Sequence, residues 1–119
     1  MRPLFAALAL LAAPLFATPA LADAPEIVAA RAEGRTVHVT LAHPDTGWEH
    51  YADGWEVVTG DGTALGLRVL AHPHETEQPF TRSLSLDAPL PDGSVYVRAR
   101  CNVDGWGETR VEILRQDAD

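Results

Sequence analysis

Side chains that could do chemistry are concentrated in two stretches of the sequence. HPDTGWEHYADGWE covers residues 43–56 and contains His43 and His50, and HPHETE covers residues 72–77 and contains His72 and His74. Imidazole nitrogens bind Zn(II), Cu(II) or Ni(II), and adjacent carboxylates can complete the coordination shell. These residue types are compatible with a divalent metal site, with Cu(II) or Zn(II) as the ion, if the fold brings the two stretches together. The alternative is a structural role, in which histidines beside prolines only hydrogen-bond the backbone of their loops.

Catalytic motifs are absent from the sequence around these histidines. The chain has no G-x-S-x-G, H-E-x-x-H, G-x-x-x-x-G-K or C-x-x-C pattern. HETE at residues 74–77 places carboxylates beside a histidine, but a general acid and base need a pocket that holds them near a substrate. A small domain offers little depth for such a pocket, and we therefore expect no enzymatic activity and no catalytic residue.

Cys101 is the only cysteine of the chain, so no disulfide can form within it. In VYVRARC it shares the phase of Val95, Val97 and Ala99, which predicts that its side chain lies on the inner face of a strand. This placement favours a shielded thiol that acts as a small apolar core residue. A nucleophile, a metal ligand and a bridge to a second chain are the alternatives.

The first 22 residues have the pattern of a secretory signal peptide. Arg2 precedes an apolar run, and the segment ends in Ala-Leu-Ala before Asp23. Two prolines interrupt the run, which is also shorter than the roughly 20 apolar residues of a membrane span. We expect cleavage after residue 22, with an uncleaved anchor as the alternative. Cleavage would give a periplasmic or secreted product with no membrane insertion and, because no cysteine follows the cut, no lipid attachment there.

The charge of the remaining 97 residues excludes two classes of partner. All seventeen acidic residues and eight of the nine arginines lie after residue 22, which gives a net charge of −9. Nucleic acid and anionic lipid would both repel such a protein. A protein partner remains open.

Short alternating segments separated by Gly, Pro and Asp turns make up the rest of the chain, which has no repeat and no credible amphipathic helix. They predict an all-β fold, a seven-strand antiparallel β-sandwich spanning residues 23–114, with residues 115–119 as a frayed tail. The predicted strands are residues 26–32, 36–42, 55–59, 65–71, 80–86, 94–101 and 108–114.

Antiparallel strand order would place the loops after the second, fourth and sixth strands at one end of the sandwich, which we call the upper pole. The first two loops would bring His43, His50, His72 and His74 together as metal ligands. Sheets fix the positions of loops whose residues are free to specialise, so sites are commonly built there. The remaining candidates for contact with a ligand or partner at this pole are Trp48, Tyr51, Glu75, Glu77 and Trp106.

Two resemblances accompany this interpretation. The strand order, and the segment LPDGSVYVRARCNVDGWG, resemble the fibronectin type III or immunoglobulin-like arrangement. HPDTGWEHYADGWEV, LGLRVLAHPHETEQPFTRSL and GWG together resemble a family of small exported proteins of Gram-negative bacteria. The second resemblance implies a periplasmic location and no particular activity.

Two functions from different classes follow. In the first, the protein is a periplasmic module that binds a protein partner through the upper pole, where tryptophan and tyrosine are favoured anchors. In the second, it binds or delivers a divalent metal through its histidines. Arg82 bears on the choice, because an ion pair with Glu75 or Glu77 would make those acids structural.

Overall fold

The computed structural model describes residues 24–116, and the predicted signal peptide lies outside these residues. Nine strands are present in this part of the chain, arranged as two packed sheets. They are β1 (Glu26–Glu33), β2 (Thr36–Ala42), β3 (Ala52–Thr59), β4 (Ala64–Val69), β5 (Phe80–Ser85), β6 (Val95–Cys101), β7 (Gly105–Trp106), β8 (Val111–Glu112) and β9 (Leu114–Gln116). The all-β prediction is confirmed.

The first sheet has the strand order β5-β2-β1-β9, and the second has the order β4-β3-β6-β7, with β8 also paired to β6. The pairings among β1 to β6 are all antiparallel. No helix within residues 24–116 is long and apolar enough to cross a bilayer.

The core lies between the inner faces of the two sheets and follows the alternation seen in the sequence. On β2 the residues Val37, Val39 and Leu41 are fully buried, while the residues between them are half-buried. Trp55 on β3 is also fully buried, as its phase with Val57 predicts. Aliphatic side chains and the aromatic rings of Trp55 and Phe80 therefore hold the sheets together and fix the ends from which the loops start.

The prediction of seven strands is wrong at the C-terminal end. Instead of one strand over residues 108–114, the chain forms β8 on the second sheet and β9 on the first, and the predicted loop before them contains the short strand β7 on the second sheet. The strand count in the described residues is therefore nine. The change of sheet occurs at Ile113, whose side chain is buried and whose N–H donates to the carbonyl of Val95. β9 then pairs in parallel with β1 and extends to Gln116.

Candidate metal centre

Three loops meet at the upper pole, as the strand order predicts. They are the β2–β3 loop (residues 43–51), the β4–β5 loop (residues 70–79) and the β6–β7 loop (residues 102–104). The amide of Asn102 ties the third loop to the first, because its Oδ1 accepts from the Tyr51 N–H at 2.9 Å and its Nδ2 donates to the Trp48 carbonyl at 3.0 Å. Asp45 and Gln78 tie the first loop to the second, because Asp45 accepts from the His74 N–H and Gln78 accepts from the His43 N–H.

A tight turn sets the spacing of the two histidines in the β2–β3 loop. Gly47 has a φ of 137°, a conformation that side-chain-bearing residues rarely adopt. The His50 N–H donates to the Gly47 carbonyl at 3.1 Å, which closes the turn and directs the chain back toward His43. The imidazole rings of His43 and His50 consequently lie edge to face, with their centroids 4.9 Å apart.

Cys101 joins these two histidines. One potential ligand atom from each of His43, His50 and Cys101 lies within 4.8 Å of the other two, the one such group of three in residues 24–116. The Cys101 Sγ is 3.6 Å from the His50 Nε2. Two ligands of a tetrahedral ion, with metal–nitrogen and metal–sulfur bonds of about 2.0 and 2.3 Å, would be about 3.5 Å apart. The observed sulfur–nitrogen separation therefore suits a shared ion.

The ring of His43 is held by a buried carboxylate. Its Nδ1 is 2.6 Å from the Oδ1 of Asp45, and both side chains are completely buried. Asp45 also accepts hydrogen bonds from two backbone N–H groups, those of Ala52 at 3.0 Å and His74 at 2.7 Å. Because an ionised carboxylate can only accept hydrogen bonds, the proton between Asp45 and His43 lies on the His43 Nδ1. The His43 Nε2 therefore has a free lone pair.

That Nε2 atom is buried and has no hydrogen-bond partner among residues 24–116. A buried polar atom without a partner costs about 1–3 kcal/mol. A metal ion bound to the lone pair would remove this cost. A carboxylate–imidazole–metal arrangement is also the usual way in which proteins orient a histidine ligand.

The sulfur of Cys101 has an anion and a donor beside it. The Asp104 N–H donates to Sγ at 3.3 Å, and the thiol faces the Asp104 Oδ2 at 3.7 Å. A neutral thiol can donate to this carboxylate, whereas a thiolate would be repelled by it unless a cation lay nearby. Because a coordinating thiol loses its proton, Asp104 is placed either to accept that proton or to offer an oxygen ligand.

The structure confirms the predicted strand register of Cys101, which is 0% exposed. Its proximity to the histidines was missed by the sequence analysis. A signal was present, because Cys101 is the last inward-facing residue of a strand that ends at the upper pole. A side chain in that position borders both the core and the loops.

The second histidine pair has different neighbours. The centroids of the His72 and His74 rings are 4.6 Å apart, and the His74 ring stacks on Phe80 at 3.9 Å. The Nη2 of Arg82 lies 3.0 Å from the His74 Nε2. A guanidinium group can only donate, so this nitrogen is an acceptor that is already in use.

Burial, followed by the charge of Arg82, lowers the pKa of His74. His72 is exposed, and its Nδ1 contacts the neighbouring Pro73 carbonyl at 3.1 Å. The structure therefore brings His43 and His50 together with Cys101, and it places His72 and His74 in a separate pair in which His74 contacts Phe80 and Arg82.

The remaining candidates lie in three environments. Glu77 pairs with Arg82 at 3.3 Å, the ion pair considered from the sequence, and Glu75 is exposed. Trp48 is 64% exposed and packs edge to face on Tyr51, with ring centroids 5.6 Å apart. Trp106 lies on the outer face of the second sheet, where the guanidinium carbons of Arg98 and Arg100 lie 4.3 and 5.4 Å from its ring centroid.

Comparison with known proteins finds a relative that the chain matches over part of that protein's length. No protein-family model matches the sequence. The chain is 41% identical over 88 residues, 72% of its length, to a protein of Halomicrobium mukohataei (strain ATCC 700874 / DSM 12286 / JCM 9738 / NCIMB 13541) named "Putative lipoprotein". The match spans only 43% of that protein.

Two solved structures are similar in fold, both of superoxide reductases (neelaredoxins) that carry one substitution. The protein from Archaeoglobus fulgidus, in the reduced form, has a TM-score of 0.45 and 18% identity, over 83% of this chain and 96% of that one. The protein from Ignicoccus hospitalis has a TM-score of 0.45 and 24% identity, over 78% of this chain and 80% of that one. Similarity at this level assigns no activity to the chain.

These findings correct three expectations. The structural neighbours are superoxide reductases, not fibronectin type III or immunoglobulin-like domains, and the relative is an archaeal protein, not a member of a Gram-negative periplasmic family. The expectation of no enzymatic activity is not retained, because the proteins found as structural neighbours are superoxide reductases, which are enzymes.

Proposed function

We propose that this protein binds one transition-metal ion through His43, His50 and Cys101. The observation that carries the proposal is the buried His43 Nε2, which has no partner in residues 24–116 although its ring is oriented by Asp45. The ion would satisfy this nitrogen and would separate the Cys101 sulfur from the Asp104 carboxylate.

The donor set limits the choice of metal. Two imidazoles and a thiolate suit Zn(II), Cu(II) and other late first-row ions, whereas Mg(II) and Ca(II) require oxygen donors. Cu(II) is commonly held by two histidines and one cysteine in a trigonal site. Zn(II) prefers a tetrahedral shell, for which Asp104 or a water molecule would supply the fourth ligand. Both ions are kept in the proposal.

Export forms part of the proposed function. The predicted signal peptide and the lipoprotein name of the relative both support an exported protein. The periplasm is the proposed compartment. There the protein would bind or deliver its metal outside the cytoplasm.

The test is direct metal binding by protein without a histidine tag. Titration of the metal-free protein with Cu(II) or Co(II) should give one equivalent of binding and a thiolate-to-metal charge-transfer absorption. Cys101→Ser should remove the absorption and reduce affinity by more than about 100-fold, because losing even an outer-shell partner of a ligand costs about 10–100-fold. Absence of stoichiometric binding of Cu(II), Co(II) and Zn(II) by the wild type would refute the proposal.

His38→Ala is the matched control for this test. His38 lies on the first sheet and contacts the Ser83 hydroxyl at 2.7 Å, away from the group of three. Its loss should leave both stoichiometry and absorption unchanged. If this variant loses the signal as fully as Cys101→Ser, binding occurs at scattered surface histidines.

A second function, contact with a protein partner at the upper pole, is favoured by the exposure of Trp48. Tryptophan packed on a neighbouring tyrosine is a frequent anchor of protein interfaces. A photo-crosslinking residue at position 48, introduced in the exporting organism, should capture one partner, which should then bind the purified wild type and not Trp48→Ala. The same crosslinker at position 28, where Val28 is 50% exposed on β1, is the control. Equal capture at both positions would argue against the interface.

A further inference from the structure

We infer that Asp45 is the positioning residue of the metal centre, and that through it the β4–β5 loop controls the ligand His43. This inference rests on the proposed function. It assigns a role to the loop that carries His72 and His74 without making either of them a ligand.

Asp45 joins two loops through its two oxygens. Oδ1 accepts from the His43 ring at 2.6 Å and from the Ala52 N–H at 3.0 Å, where β3 begins. Oδ2 accepts from the His74 N–H at 2.7 Å, across 29 residues of sequence. The carboxylate is completely buried, so water does not compete for these contacts and their geometry is rigid.

Gln78 holds the backbone of His43 from the same loop. Its Oε1 accepts from the His43 N–H at 3.0 Å, and its Nε2 donates to the His74 carbonyl at 2.8 Å. The β4–β5 loop thus fixes His43 at two points, the main chain through Gln78 and the ring through Asp45. Both attachments use the main chain of His74, whose ring Nδ1 lies 4.0 Å from the Asp45 Oδ2, beyond hydrogen-bond distance.

The chemical consequence concerns which nitrogen of His43 can bind a metal. With a carboxylate beside Nδ1, the proton stays on Nδ1 and the Nε2 lone pair is available. In the wild type the N–H donors contact the two carboxylate oxygens of Asp45. An asparagine at position 45 would offer these donors only one oxygen. Asp45→Asn therefore places an NH2 group against a donor and removes the preference for the ligating tautomer.

The experiment compares Asp45→Asn with His74→Gln, which loses the imidazole but keeps the N–H that Asp45 accepts. Pulsed electron paramagnetic resonance on the Cu(II) proteins counts coordinated imidazoles. Asp45→Asn should bind Cu(II) about 10–100-fold more weakly, with one imidazole in place of two and with its thiolate absorption retained. His74→Gln should keep two imidazoles and lose less than about tenfold in affinity.

A measurement on the wild type makes the test independent of whether Asp45→Asn folds. In Zn(II)-loaded protein labelled with ¹⁵N-histidine, magnetic resonance should show the His43 Nδ1 protonated and the Nε2 bound to the metal. A metal-bound Nδ1 would overturn the inference, as would two imidazoles and wild-type affinity in Asp45→Asn. If the wild type binds no metal, or binds it equally well as Cys101→Ser, the proposed function itself has failed.

Discussion

The two histidine pairs of the upper pole are alike in sequence and opposite in environment. Both contain a His-Pro step, and in both the ring centroids are less than 5 Å apart, at 4.9 and 4.6 Å. In the first pair the partner of His43 is a buried carboxylate, which accepts a hydrogen bond from the ring Nδ1–H and leaves the Nε2 lone pair free. In the second the partner of His74 is the guanidinium of Arg82, which occupies the lone pair. The charge of the neighbour therefore separates a candidate ligand from a structural histidine.

The largest expected effect distinguishes one residue from each pair. His43→Gln should reduce Cu(II) or Zn(II) affinity by more than about 100-fold, because it removes a ligand and not merely its support. His74→Gln should reduce affinity by less than about tenfold, the lower limit for a lost supporting residue. Competition titration with a chelator of known affinity measures both, and equal losses in the two variants would break the distinction between the pairs.

Stabilisation of the fold by a bound metal ion should depend on the first pair, His43 and His50. At a free ion concentration about 100 times the dissociation constant, binding to the folded state alone adds about 2.7 kcal/mol. For a domain of this size that corresponds to a rise in Tm of roughly 10 °C or more. Binding weakens as pH falls through the histidine range near about 6.5, because protonated imidazole cannot ligate.

Thermal unfolding at about pH 7.5 and about pH 5.5, with and without Zn(II), measures this shift on either side of the histidine range. We expect a large shift at the higher pH, a much smaller one at the lower pH, and the full shift in His38→Ala. A shift of equal size at both pH values would show that imidazole ligands are not involved.

The second pair should instead govern the pH dependence of the metal-free protein. Burial and the Arg82 charge lower the pKa of His74, so below about pH 6.5 the unfolded chain binds a proton that the folded chain resists. The stability contributed by neutral His74 is present above that pH and is lost as pH falls. Denaturant unfolding in the presence of a chelator should show a shallower decline for His74→Gln than for the wild type, and an unchanged decline would contradict this role.

The smallest effect is expected for His72, the exposed member of the second pair. His72→Ala should change the free energy of unfolding by no more than about 0.5 kcal/mol, as is usual for a surface substitution. Metal affinity should remain that of the wild type. A loss of affinity comparable with that of His43→Gln would instead place His72 in the shell and return the four-histidine site to consideration.

Strand positions could be predicted from the sequence because alternation records which face is buried. Val37, Val39 and Leu41 identify β2 without any knowledge of its partners. The division of the last predicted strand could not be foreseen in this way. Val111 and Ile113 share a phase, but the exchange of sheets at Ile113 depends on the positions of β6 and β1, which single-segment periodicity does not contain.

The position of the candidate site could be predicted from the sequence more easily than the residues that form it. Strand order placed His43 and His50 at the correct pole. Alternation assigned Cys101 to the core. It could not show more, because a side chain that points inward at the end of a strand can contact either the core or the site in the loops. The pairing of His74 with Arg82 depends on how the β4–β5 loop folds back on β5, a tertiary contact with no local sequence signal.

The position of Cys101 also determines when its thiol becomes shielded during folding. Its sulfur is shielded only after β6 pairs with β3, and its contact with His50 spans 51 residues. Contacts over such distances form slowly, because the intervening chain must be ordered first. In an oxidising compartment the thiol of an incompletely folded chain is open to oxidation or to disulfide exchange with another molecule. In such a compartment a chain keeps the sulfur that the proposed centre requires only if β6 pairs with β3 before the thiol is oxidised.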